Sequence, residues 1–175
     1  MRLKLAAIAL GIVVVASAFG ASAFTTATVE RDASLNVATD SGGLVGLSAG
    51  DSGLVTTSND QLAIDVTAGT ANGVNPNSTL TIGNTSSPAF TITNNFPNAH
   101  TFNITYDMAN DPDPTTENVK FELINSSSQT VTTVNEDTGY EGELGANEAL
   151  DVVVTVDSGG QTSGADLTGT LNVTA

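Results

Sequence analysis

His100 is the single histidine of this chain, and there is no cysteine. Those two counts decide most of the chemistry open to it. Without a second histidine no HExxH pair or multi-histidine metal site can be assembled, and without cysteine there is no thiolate zinc site, iron–sulfur cluster, disulfide or cysteine nucleophile. A Ser/His/Asp arrangement around His100 is formally open, but no G-x-S-x-G elbow accompanies it. His100 stands at the start of a strand-like stretch, after Asn98, where a turn histidine is the simpler reading. The glycines are scattered through turns and form neither a Walker loop nor a Rossmann fingerprint, so nucleotide ligands have no support. Catalysis and cofactor binding are therefore not expected.

Two polar patterns remain. Asp107, Asp111, Asp113 and Glu117 put four carboxylates into one short stretch, as calcium requires, yet the EF-hand spacing and its turn glycine are missing. A solvated, proline-stiffened loop accounts for the same residues and is the favoured reading. Asn77, Asn84, Asn103, Asn125 and Asn172 each open an N-x-[ST] sequon, which suits an exported glycoprotein. A chain this rich in Asn, Ser and Thr meets that pattern often, so the sequons mark where glycans would be tolerated.

The elements around these residues are strands. Ala27, Val29, Ala33, Leu35 and Val37 alternate with polar residues, with Arg31 the one charge on the apolar side. The same alternation recurs at Leu62/Ile64/Val66, Leu80/Ile82, Phe90/Ile92, Phe102/Ile104/Tyr106, Val119/Phe121/Leu123, Val152/Val154/Val156 and Leu167/Leu171/Val173. Period two with Val and Thr enrichment reads as half-buried strands. Ser41-Gly42-Gly43, Asn72-Gly73, Asn75-Pro76-Asn77 and Ser158-Gly159-Gly160 supply the turns between them. No stretch after residue 24 carries a helical stripe. The expectation is an all-β chain, a single β-sandwich of jelly-roll-like or immunoglobulin-like topology over residues 24–175. Residues 40–52, 107–117 and 135–147 read as its irregular parts, with a short edge strand at most over 140–144.

Ahead of that domain, Met1-Arg2-Leu3-Lys4 is followed by an apolar run and by Ala21-Ser22-Ala23. Basic, then apolar, then small-x-small is the pattern of a cleaved secretory signal peptide, residues 1–23. An uncleaved anchor is the competing reading, since residues 5–23 are just long enough to cross a bilayer. After cleavage Arg31 and Lys120 alone face all 19 carboxylates, in a chain whose formal charge is −15 before processing. Such a surface repels phosphate backbones, so no nucleic-acid partner is expected. Cation depletion points to a saline habitat, where a Debye length of roughly 3 Å at 1 M salt removes the self-repulsion. An ordinary acidic exported protein is the alternative.

The opening of the mature chain, Phe24-Thr25-Thr26-Ala27-Thr28-Val29-Glu30-Arg31-Asp32-Ala33-Ser34-Leu35-Asn36-Val37, with Asp40 and Leu44-Val45-Gly46-Leu47, resembles exported haloarchaeal surface proteins. More distantly it is similar to the TasA/camelysin group of biofilm fibre proteins and to the archaeal bundling pilins. Phe90-Thr91-Ile92-Thr93-Asn94-Asn95 and the run from Gly145 to Val154 are further echoes, and together these cover about half of the mature chain. Camelysin has been classed as a metallopeptidase, and this chain lacks the residues that such chemistry needs.

The resemblance implies assembly by donor-strand complementation. Residues 24–38 would leave their own subunit and complete the sheet of the next, giving a head-to-tail homopolymer outside the cell, a fibre or pilus for adhesion or biofilm matrix. Val29, Ala33, Leu35 and Val37 would face into the accepting groove, and Arg31 would lie at its mouth near carboxylates of the accepting subunit. No membrane contact is expected once the signal is cut. Two alternatives stay open: residues 24–38 as the first strand of their own sandwich, and a monomeric secreted or S-layer-associated immunoglobulin-like binding module.

Overall fold

Most of the period-two stretches fold as paired strands. The computed structural model describes residues 38–67, 70, 72–110 and 116–175, all of which belong to one compact unit, Val37–Ala175. The signal segment 1–23 lies outside the described residues, as do Val29, Arg31, Ala33, Leu35 and Val37, and the loop carboxylates Asp111 and Asp113.

Eleven strands form among the described residues: β1 (Val45–Ala49), β2 (Val55–Ser58), β3 (Gln61–Ile64), β4 (Thr79–Ile82), β5 (Phe90–Asn94), β6 (His100–Met108), β7 (Val119–Ile124), β8 (Thr130–Val134), β9 (Tyr140–Leu144), β10 (Ala149–Asp157) and β11 (Gly169–Thr174). Every pairing is antiparallel. One sheet runs β1-β5-β10-β7-β8, with β4 beside the far end of β10; a second runs β11-β6-β9; β2 and β3 form a hairpin. The all-β expectation holds, with antiparallel sheets throughout.

β4 and β5 are two pieces of one line. β5 pairs with the first half of β10, Phe90 opposite Val152, and β4 with the second half, Ile82 opposite Val154. Between them the chain steps out and back, closed by the Asn84–Ser87 bridge. Gly83 makes that step possible. Its φ is +80°, and a Cβ there would collide with the main-chain nitrogen of Ala89.

Both sheets feed one apolar cluster. β5, β7 and β10 give Phe90, Ile92, Phe121, Leu123, Leu150, Val152 and Val154, and β6 and β9 give Phe102, Ile104, Tyr106 and Leu144. The Tyr106 and Phe121 rings meet with centroids 5.1 Å apart, and Phe90 meets Phe121 edge-on at 6.5 Å. Each such side chain contributes roughly 1.5–3 kcal/mol by leaving water. The alternation in β5, β6 and β7 is thus the imprint of one buried face.

Residues 40–52 depart from the expectation of an irregular stretch. They hold a 3-10 turn at Asp40–Gly42 and then β1. Strand pairing is a main-chain interaction, so a Gly- and Ser-rich segment can take it up when a free edge is offered. β5 offers that edge, from Val45 opposite Asn94 to Ala49 opposite Phe90, and the Asn95 carboxamide donates to the Gly43 carbonyl at 2.7 Å. β2, largely exposed, and β8, exposed at its start, are rich in threonine and also escape the apolar pattern. The short edge strand over 140–144 is there as β9, on the rim of the three-stranded sheet.

Asn94 joins the two sheets. It is fully buried at the end of β5, and its Nδ2 donates to the carbonyls of Leu144 (2.8 Å), Gly145 (2.9 Å) and Asn98 (3.0 Å). Its Oδ1 accepts from the Phe96 N–H at 2.9 Å. A buried carboxamide is stable only when satisfied in this way.

Candidate functional site

The feature that stands out is a groove of about 660 Å³, within the range of ligand-sized clefts. Its floor is the apolar end of the core: Tyr106 of β6, Val119 and Phe121 of β7, and Val154 and Val156 of β10. One wall is Leu62, Ala63 and Ile64 of β3, continued by Val66, Val74 and Pro76; the other is residues 161–168 and the start of β11. Successive strand residues point to opposite faces. Three consecutive residues of β3, and three of β11 (Gly169, Thr170, Leu171), border the groove, so both strands present their edges to it. Among the described residues β3 pairs only with β2, and β11 only with β6. The groove is therefore apolar below and flanked by strands that each pair with one other strand, the outer edge of β3 being taken at Leu62 by the Asp40 carboxylate.

Its rim is polar and carries one charge. Asp166 is the single ionisable carboxylate or cation among the described lining residues. Asp166 Oδ1 accepts from the Thr168 N–H at 3.0 Å and from its hydroxyl at 2.6 Å, and Oδ2 accepts from Asn110 Nδ2 at 3.2 Å. Bonds from Thr168, then from Asn110, hold its carboxyl below the usual range, so the charge persists into mild acid. Asp65 makes the same Asp-x-Thr turn with Thr67. That spacing is the signal by which the two aspartates were findable in the sequence.

Beneath the rim, Glu136 Oε1 accepts from the Asn118 and Val119 N–H groups at 3.0 and 2.8 Å, which pins the entry to β7. Asn118 Nδ2 donates to the Asp157 carbonyl at 2.9 Å. Glu136 Oε2 and Asn118 Oδ1 are buried with no protein partner. Neither residue carries a pattern that sequence reading would single out.

His100 is the first residue of β6, half-buried, with its ring stacked on Phe96 at a centroid distance of 3.9 Å and 25° between planes. It is part of a half-buried aromatic pair, where an exposed turn residue was expected. Of the acidic stretch, Asp107 accepts from Asn172 Nδ2 at 3.0 Å and Glu117 pairs with Lys120 at 2.9 Å. These two carboxylates are thus engaged with different partners. Among the described residues no group of three His, Asp or Glu side chains comes together in a way that could hold a metal ion.

Of the sequon asparagines, Asn77, Asn84, Asn103 and Asn172 are exposed and Asn125 is half-buried. Asn84 and Asn125 use their Oδ1 atoms to close local turns, and Asn77 Oδ1 accepts from the distant Gly160 N–H at 2.9 Å. Asn103 and Asn172 stand on the paired strands β6 and β11.

Near the start of the described residues, Asp40 is bonded to the β2–β3 hairpin. Asp40 N–H donates to the Asp60 carbonyl at 3.0 Å, and its carboxylate accepts from the Leu62 N–H at 2.6 Å. Set against protein-family models, curated proteins and solved structures, the chain matches none of them.

Proposed function

We propose that this chain is an exported structural subunit of an extracellular fibre or pilus, a β-sandwich that polymerises head to tail when residues 24–38 of one copy enter the groove of the next. One observation carries the reading: an apolar groove flanked by β3 and β11, each of which pairs with a single strand among the described residues, so that β11 and the part of β3 beyond Leu62 keep an edge open to another strand. An extended segment entering there gains main-chain hydrogen bonds along an edge while its alternate side chains cover Val154, Val156 and Phe121. Val29, Ala33, Leu35 and Val37 supply such a face, and each fully buried large aliphatic contributes roughly 1.5–3 kcal/mol. A contact between two different surfaces propagates without closing, which makes a filament. Left open, the same edges would invite uncontrolled association. Adhesion or a biofilm matrix is the setting in which such a filament serves, and the reaction chemistry of an enzyme has no role in it.

A second reading shares the groove. Asp40 already bonds the Leu62 N–H of its own subunit, and in this reading residues 24–38 form the first strand of their own sandwich, giving a monomeric secreted or S-layer-associated immunoglobulin-like binding module.

The two readings separate on one experiment. A protein lacking residues 24–38 is incubated with a synthetic peptide of that sequence and with the intact mature chain. The fibre reading expects a folded, non-polymerising subunit that binds the peptide and caps filaments of the intact chain. Leu35→Asp or Val37→Asp in the peptide abolishes binding, and Ser34→Ala or Asn36→Ala does not. An intact chain that stays monomeric by light scattering at high concentration overturns the fibre.

A further inference from the structure

We propose that Arg31 of the entering strand and Asp166 of the accepting subunit form the ion pair that sets the register of strand insertion and the selectivity for the chain's own strand. This inference rests on the fibre reading and names the contact that makes the fit specific.

Charge complementarity on both sides of the contact carries it. Residues 24–38 contain one cation, Arg31, and it falls on the face otherwise made of Val29, Ala33, Leu35 and Val37. The described lining of the groove contains one charged side chain, Asp166. A guanidinium cannot be left unpaired on an apolar floor, because its desolvation is costly. Arg31 stands between Val29 and Ala33 on that face, so its long side chain must reach from the strand to a carboxylate at the rim, and among the described lining residues Asp166 is the one that offers it.

A period-two strand that slips by one residue turns its apolar face outward, but a slip by two keeps that face inward. Hydrophobicity alone leaves registers two apart close in energy. Moving Arg31 by two residues, about 7 Å, takes it out of reach of Asp166, so the pair distinguishes registers that the aliphatic residues do not.

Asp166 is also held in place. Thr168 and Asn110 bond both carboxylate oxygens, and the turn stands immediately before β11, at the start of its unpaired edge. A preset carboxylate at the entrance of an edge is what fixing a register needs.

The test uses the intact mature chain and two variants, Arg31→Glu and Asp166→Lys, at the lowest salt at which circular dichroism shows all three folded, because screening weakens the pair. Assembly is followed by light scattering and electron microscopy. Each variant alone meets like charge with like charge and is expected to raise the critical concentration for assembly by roughly tenfold or more. Mixed in equal amounts, the two are complementary at every alternating junction. The acidic strand of the Arg31→Glu variant meets the basic rim of the Asp166→Lys variant, and the unaltered strand of the second meets the unaltered rim of the first. The mixture is expected to assemble as the parent does, in alternating filaments.

The outcomes divide cleanly. Single variants that assemble like the parent overturn the ion pair and leave the fibre reading standing. Folded variants that fail alone and also fail when mixed overturn pairing between subunits and place the contact within one chain. A parent that forms no filament overturns the fibre reading, and the pair between copies with it. Asp166→Asn, which keeps a side chain able to accept from Thr168, serves as the second variant should Asp166→Lys not fold, and is expected to weaken assembly without repulsion.

Discussion

The Tyr106 hydroxyl donates to the main-chain carbonyl of Leu167 at 3.3 Å, tying the floor of the groove to the wall that leads into β11. The Tyr106 ring at the same time packs on Phe121. One side chain thus links the three-stranded sheet, the larger sheet and the segment carrying Asp166.

That position gives an alkaline signature. Burial first, then the nearby charges of Glu136 and Asp166, push the Tyr106 phenol up to about 12, against about 10 in an unfolded chain. The folded state holds its proton more tightly, so the stability contributed is fully present below pH about 10 and is lost as pH rises towards 12. The urea midpoint is expected to fall across that window, and Tyr106→Phe to remove much of the slope. Tyr140, also raised by burial and then by Glu148, leaves a residual slope in both proteins. An undiminished slope in Tyr106→Phe would contradict this assignment.

Asn94→Ala strips the link between β5 and the turn after β9. It removes the buried bond to the Leu144 carbonyl and the part-buried bonds to the Phe96 N–H and to the Gly145 carbonyl, which keeps the Glu148 N–H, and a buried polar group orphaned in this way costs about 1–3 kcal/mol. The expected loss is about 2–4 kcal/mol in urea unfolding. Asn95→Ala is the control: that side chain is exposed and donates to Gly43, so the loss should stay near about 1 kcal/mol. Equal effects of the two substitutions would refute the role given to Asn94.

Salt should stabilise the mature protein. Nineteen carboxylates meet two cations, and among the described residues one ion pair forms, Lys120 with Glu117, both about 40% exposed. Screening of repulsion therefore outweighs screening of attraction. The melting temperature is expected to rise steadily into molar sodium or potassium chloride. Lys120→Gln should shift stability by less than about 1 kcal/mol at low salt. A melting temperature indifferent to salt would remove the case for a saline habitat.

Export should leave Phe24 as the first residue, since Ala21-Ser22-Ala23 closes the basic-apolar start. Intact-mass measurement of protein collected outside the cell checks this directly. Retention of Met1 or Leu5 would instead support an N-terminal anchor, and would constrain how residues 24–38 reach a neighbour.

Side-chain periodicity determined what most of the core segments are. Phe90/Ile92, Phe102/Ile104/Tyr106 and Val152/Val154/Val156 announce a buried face, and in the folded chain each lies on that face, because a pleated strand points alternate residues to opposite sides. The same regularity is silent on partners. Hydrogen bonds between strands are made by the main chain, which is alike at every residue, so nothing in β10 declares that β7 lies on one side and β5 and β4 share the other.

For the same reason β1 is hidden among glycines and serines: it owes its conformation to the free edge of β5. The groove is likewise a product of assembly. Leu62, Val74, Phe121, Val156 and Leu171 are far apart in sequence and ordinary one by one, and they become a site only when the sheets bring them round one opening. Arg31 on an apolar face was conspicuous as a residue type and spacing. The carboxylate that would answer it, Asp166, was one among nineteen until the turn with Thr168 set it on the rim. Sequence determines local conformation and which face is apolar because those are properties of neighbouring residues, whereas edges, grooves and isolated charges depend on what is placed beside them.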